Sequence, residues 1–261
     1  MKINITELYK NIVNQPKFSV VRMGNVEVTA ILQEVGIYEQ MYTNAGFVGD
    51  EKEFVKWKND YIRALLNCDT ILDVYTCASF AICGDLITKL NLWKPTLPYL
   101  EEILPWVELI NRMADADPRP ISIVSYFADE MKEQSKILDK IYPNIKINNN
   151  FNFIKTNNTI KGNENGTYSI NLKNYISKIK STDSKYYILG VGCYGLPLCN
   201  AIKDMDRTAV YMGGMIQLLF GLKGKRWDER EEISKYYNEN WKYPERKPVN
   251  AEKVEGWCYG K

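Results

Sequence analysis

The chain has 261 residues, 34 of them Lys or Arg and 32 acidic, for a net charge of +2, and it is 45% apolar. That balance argues against wholesale nucleic-acid binding, and the apolar content is enough for a sizeable core in one elaborated α/β domain. Histidine is absent, which excludes Ser-His-Asp and Cys-His nucleophilic systems and any His-ligated zinc.

No apolar run reaches the roughly 18–20 residues that span a bilayer. The opening MKINITELYKNIV has no signal-peptide core, so a soluble, cytoplasmic protein with no transmembrane segment is expected. The six cysteines, at 68, 77, 83, 193, 199 and 258, form no CxxC pair and read as reduced, buried thiols.

Taken in order, residues 3–14 read as a short amphipathic helix with Ile5, Leu8, Ile12 and Val13 on one face, stopped by Pro16. FSVVR (18–22) reads as a strand, Gly24 as a turn, and Asn25 as the cap of the next helix with Glu27 in its first turn. Residues 40–49 read as an irregular loop and 51–67 as a helix. TILDVYT (70–76) reads as a second strand, followed by a helix over about 80–90. A further helix over 98–113 is expected to be shortened or kinked by Pro105. ISIVSYF (121–127) is a third strand, and an amphipathic helix follows it. Residues 144–167, rich in Asn and Gly, read as a loop around one edge strand. A helix over about 169–180 leads into YYILG (186–190), then GVGCYG, a helix, the strand TAVYM (208–212), Gly213-Gly214 and another helix. After the basic loop Lys223-Gly224-Lys225-Arg226-Trp227, a charged tail is anchored by Trp241, Trp257 and Tyr259.

Strands separated by helices imply a parallel or mostly parallel sheet with helices on both faces: a single Rossmann-like domain over residues 1–261. In such sheets ligands bind outside the carboxyl ends of the strands. That rule gathers Arg22, Gly24, Asn25 and Glu27 with Ser125 and Phe127. To the same edge it brings Gly190, Gly192, Tyr194 and Gly195, together with Gly213, Gly214 and Gln217. Asp204-Met205-Asp206 precedes its strand and belongs at the opposite edge, as a solvated turn.

Glycine turns at helix starts suit a phosphate. The GVGCYG fingerprint is short, and the next strand ends in Gly213-Gly214 where a dinucleotide site wants an acid, so a nicotinamide cofactor is disfavoured while a nucleotide is not. Lys223, Lys225 and Arg226 read either as a solvated loop or as an anion-facing one, Arg clamping a diphosphate and Lys supplying a point charge.

RMGNVE resembles the R-x-G-D-x-E signature of the GT-D-type glycosyltransferases. ISIVSYF with Gln134, GVGCYGLPL, GGMIQLLFGLKGKRW and YYNENWKYP…VEGWCYG resemble the family's remaining blocks in the same order. The resemblance implies a GT-D-like Rossmann domain that transfers a hexose from a nucleotide sugar, typically a UDP-sugar, to a glycan or glycoconjugate hydroxyl. It also implies that Arg22, Asn25 and Glu27 occupy the signature positions, helping to hold a divalent metal (manganese or magnesium) and the donor diphosphate. Asn25 stands where the family has Asp. Its amide oxygen can ligate a hard cation but brings no charge, which lowers metal affinity and leaves three arrangements open: Glu27 alone on the metal, a water-mediated contact, or a metal-independent site with Lys225 and Arg226 neutralising the diphosphate. Two other readings remain: a catalytically weak nucleotide-sugar-binding module, and a Rossmann enzyme using NAD or S-adenosylmethionine. The oligomeric state, a homo-oligomer included, is left open by the sequence.

Overall fold

A computed structural model describes residues 4–32, 38–73, 77–98, 102–148, 150–159, 166–247, 251 and 258–260. Seven strands form one sheet: β1 (Phe18–Arg22), β2 (Thr70–Asp73), β3 (Thr96–Pro98), β4 (Ile121–Ser125), β5 (Phe151–Lys155), β6 (Tyr186–Gly190) and β7 (Thr208–Tyr211). Their order is β3-β2-β1-β7-β6-β4-β5, and every neighbouring pair is parallel. The architecture is the expected Rossmann-like one: a single parallel sheet with helices on both faces.

Parallel crossovers are right-handed, so the direction in which the chain steps across the sheet decides which face each connecting helix covers. Steps β1→β2→β3 and β5→β6→β7 run one way, and β3→β4→β5 the other. The core divides accordingly. One buried cluster joins the helices Asn25–Leu32, Glu51–Asn67, Cys77–Lys89, Tyr168–Lys180 and Gly195–Lys203 through Val28, Trp57, Leu86, Tyr175 and Leu198. The other joins Ile5–Asn14, Ile103–Ala116, Ala128–Ser135, Leu138–Ile141 and the 3-10 helix Gly213–Phe220 through Leu8, Trp106, Met131, Ile141 and Phe220. Being covered on both sides, β1, β4, β6 and β7 are apolar runs with almost no alternation.

Several boundaries differ from expectation. Residues 40–49 begin inside a short helix, Tyr38–Thr43, before turning irregular. The helix expected over 98–113 runs instead from Ile103 to Ala116: Pro98 ends β3, and Pro105 sits in the first turn, where its missing N–H breaks no intrahelical bond. The edge strand inside 144–167 is β5, and residues 149 and 160–165 lie outside the described ones, as do 74–76 and Trp257. Cys68, Cys83, Cys193, Cys199 and Cys258 are unbridged and buried. Among the described residues no helix is long and apolar enough to cross a membrane.

Candidate functional site

From β1 to β5, adjacent strands send the chain to opposite faces. β1 leads into Asn25–Leu32 on the first face, β7 into Gly213–Phe220 on the second, β6 into Gly195–Lys203 on the first, and β4 into Ala128–Ser135 on the second. Each such reversal parts the two helical layers and opens a crevice over the strand ends. A cavity of about 250 Å³ lies there, lined by residues that follow β1, β4, β5, β6 and β7. With strands about 4.8 Å apart, the sheet edge from β1 to β5 spans roughly 19 Å.

At the β1 end, the carbonyl of Gly24 accepts the amide of Val28 at 2.9 Å, so Gly24 caps the helix and the expected cap, Asn25, is its first residue. Asn25 is exposed and lines the cavity. Glu27 also lines it, yet is only 7% exposed. Its carboxylate folds back over Gly24, where any Cβ would overlap it. Burial pushes the Glu27 carboxyl above its ordinary range, opposed by its own backbone N–H and by the Arg22 guanidinium. Arg22, the last residue of β1, lies beside Gly213, whose φ of +66° and lack of Cβ admit the guanidinium, and a Cβ there would stand 3.2 Å from Nη1.

Gly190, Gly192, Tyr194, Gly213 and Gly214 all line the cavity. Gly192 has φ +54°, and a Cβ there would strike the carbonyl of Ala45, which accepts the amide of Cys193 at 2.8 Å. Through this contact the 190–194 turn carries the loop Asn44–Gly46 into the cavity wall. Gly195 does not line the cavity. It packs beneath the ring of Tyr211, where no side chain fits, and it is therefore a packing residue rather than a ligand contact.

The basic loop divides. Arg226 is half-buried and lines the cavity. Its guanidinium lies 5.2 Å from the Trp227 ring centroid and 5.3 Å from that of Tyr259. Lys223 does not line the cavity, because its ammonium sits over the rings of Tyr237 and Tyr243, at 4.8 and 5.8 Å. Lys225 is exposed and likewise outside the lining. Sequence cannot show which way neighbouring side chains on a loop turn, and two of the three cations turn away. Gln217, 1% exposed, lines the cavity and donates through Nε2 to the carbonyls of Leu222, Lys223 and Tyr259 at 3.3, 2.9 and 3.2 Å. Gln134 is also structural, donating to the carbonyl of Asn240 at 3.0 Å.

Over β4 and β5 the wall is neutral. Ser125 and Phe127 line it, the Ser125 hydroxyl accepting the Phe127 amide at 3.2 Å. Thr156, Asn157, Asn158 and Thr159 follow β5, and three of them are at least 94% buried. The Thr159 hydroxyl donates to the carbonyl of Gly46, tying this wall to the Asn44–Gly46 loop. These residues, with Tyr175, Tyr211 and Tyr259, escaped the sequence reading. The sole signal for 156–159 was their place after a strand, hidden because β5 lies in a stretch that reads as loop.

Arg22, Arg226 and Glu27 are the charged side chains of the described lining. Two guanidinium groups and turn amides facing a single carboxylate suit an anion. The donor set of the site is poor for a divalent cation. Such a cation wants several oxygen ligands, usually with more than one carboxylate. Glu27 is held against its own helix in surroundings that favour its neutral form, and Asn25 adds one amide oxygen. Among the described residues no three His, Cys, Asp or Glu side chains gather. These side chains by themselves do not fit a metal. Comparison with family models, with curated proteins and with solved structures returned no match.

Proposed function

We propose that the protein is a glycosyltransferase that takes a hexose from a nucleotide sugar, a UDP-sugar, and transfers it to a glycan hydroxyl. The observation that carries this reading is the meeting of Arg22, Arg226 and the Gly213-Gly214 turn with one buried carboxylate, Glu27, in a single cavity at the carboxyl edge of the sheet. The resemblance of RMGNVE and GGMIQLLFGLKGKRW to the GT-D-type blocks supports it independently. A volume of about 250 Å³ is below the roughly 300–1,000 Å³ of pockets that enclose a drug-sized ligand. The cavity therefore takes part of such a donor and leaves the rest within reach of an acceptor.

In this reading the acceptor oxygen bonds to the anomeric carbon as the bond to the diphosphate oxygen breaks. The acceptor proton passes to Glu27, and Arg22 and Arg226 stabilise the charge gathering on the departing diphosphate. A carboxyl raised by burial is a better base than an ordinary one once ionised, and it loses its proton at higher pH. The transfer rate should accordingly rise with pH through a limb above the ordinary carboxylate range. Glu27→Gln should remove that limb and cost about 10²- to 10⁴-fold in rate. The measurement is release of UDP from a panel of UDP-sugars with a glycan acceptor present. A variant as fast as the parent would remove Glu27 from the mechanism.

A second reading, a donor-binding module, draws on the same carboxylate, since Glu27 is folded onto Gly24 in surroundings that resist its charge. UDP-sugar binding with no UDP release, with or without added manganese, would select it.

A further inference from the structure

We infer that Tyr259 is a positioning residue of this site, acting through Arg226: its ring holds the guanidinium in the place where an anionic ligand meets it. The inference rests on the anion-binding reading above and adds a residue to it.

Four observations converge. Tyr259 lines the cavity, as Arg226 does. Its ring packs on Gly214, where a Cβ would stand 2.5 Å from Cε1, so a glycine is required for the ring to lie there. The Arg226 guanidinium lies within reach of two rings, 5.3 Å from the centroid of Tyr259 and 5.2 Å from that of Trp227. The backbone around Tyr259 is fixed at three consecutive residues, two of them to the basic loop and one to Gln217. Arg226 N–H donates to Cys258 O at 3.3 Å, Lys225 N–H to Gly260 O at 3.2 Å, and Gln217 Nε2 to Tyr259 O at 3.2 Å.

The chemistry follows from how a guanidinium is used. An aromatic ring attracts its face, whereas an oxyanion is bound by the N–H donors in its plane. A ring that engages the guanidinium through its face restrains rotation and leaves the in-plane donors to a diphosphate, and the 5.3 Å separation of Tyr259 and Arg226 is within reach of that contact. A long side chain that is already ordered also loses less entropy when the ligand arrives. Segment 258–260 thus acts as a strap, clamped by its backbone, that sets the plane of one arginine.

The test is a double-mutant cycle on the full chain, with UDP and inorganic pyrophosphate as probes and binding read by calorimetry. Tyr259→Phe keeps the ring and should bind within about twofold of the parent, while Tyr259→Leu should weaken both probes by about three- to thirtyfold. In the Arg226→Ala background the same Leu change should alter binding less than about twofold, because the group it positions is gone. Gly214→Ala, which displaces the ring without altering it, should reproduce the Leu effect and its dependence on Arg226. Additive losses in the cycle, or a Phe variant as weak as Leu, would overturn the positioning role while leaving the anion site standing. A parent protein that binds neither probe would remove both the inference and the functional reading.

Discussion

Both edges of the sheet carry ion pairs, but the carboxyl edge also sets charged side chains around the cavity of the candidate site. At the amino edge, where the chain enters the strands, acids and bases are matched. Lys17 pairs with Asp206 at 2.8 Å, Lys203 with Asp69 at 2.7 Å, and Arg119 with Asp117 at 2.8 Å and Asp183 at 3.5 Å. Asp69 also accepts the Ser19 amide at 2.8 Å, and Arg119 holds the Asp117 carboxyl below its ordinary range. Asp204-Met205-Asp206, the turn before β7, belongs to this edge and includes a left-handed residue, Asp206 at φ +57°. At the carboxyl edge Asp129 pairs with Lys155 at 2.8 Å and with Arg246 at 3.2 Å, and beside these pairs Arg22, Arg226 and the buried Glu27 line a cavity. The amino edge finishes the fold, whereas the carboxyl edge also lends charged groups to a cavity.

Substitutions on the two edges should separate these roles. The largest effect is expected at the carboxyl edge. Arg226→Ala should weaken UDP by about 10- to 100-fold, the scale of losing charge-assisted hydrogen bonds, while Arg119→Ala should leave that affinity unchanged. Equal losses from both would mean a diffuse field rather than a site.

The next effect appears in stability against pH. The folded pKa of Glu27 is raised, so its contribution is fully present below the ordinary carboxylate pKa and is lost as pH rises through the raised value. Glu27→Gln has no charge to bury. It should melt near the parent temperature in acid and above it at neutral pH, and the gap should open across that window. A gap independent of pH would contradict the burial argument. The smallest effect belongs to Lys17→Ala, whose exposed pair should leave the midpoint of a denaturant titration almost unchanged, and less changed again in high salt.

Much of the fold could be read from local sequence. FSVVR, ISIVS and YYILG are apolar runs bounded by turn residues, and the helix at 51–67 keeps its register throughout. β3 was missed because three residues ending in Pro98 carry no pattern, and they form a strand only as an edge on β2. The strand-end rule led to Arg22, Glu27, Ser125, Gly190 and Gly213 because chain order and position coincide in a parallel sheet. It could not lead to Ala45 or Tyr259. These reach the cavity through tertiary contacts: a carbonyl on the Cys193 amide, and a strap on the basic loop. The misplacement of Lys223 has the same origin, since the rings that hold it come from Tyr237 and Tyr243 further along the chain.

The alternation of crossovers between β1 and β5 has an evolutionary meaning. The cationic end of the crevice is built from segments 22–27, 213–217 and 226, and the neutral end from 44–46 and 156–159, with the glycine turn between them. No short segment serves both ends. Drift in the Thr156–Thr159 wall can therefore retune what uncharged group is admitted while the cationic grip is inherited intact. A lineage built on this chain could vary one end of the crevice, loop by loop, without rebuilding the other.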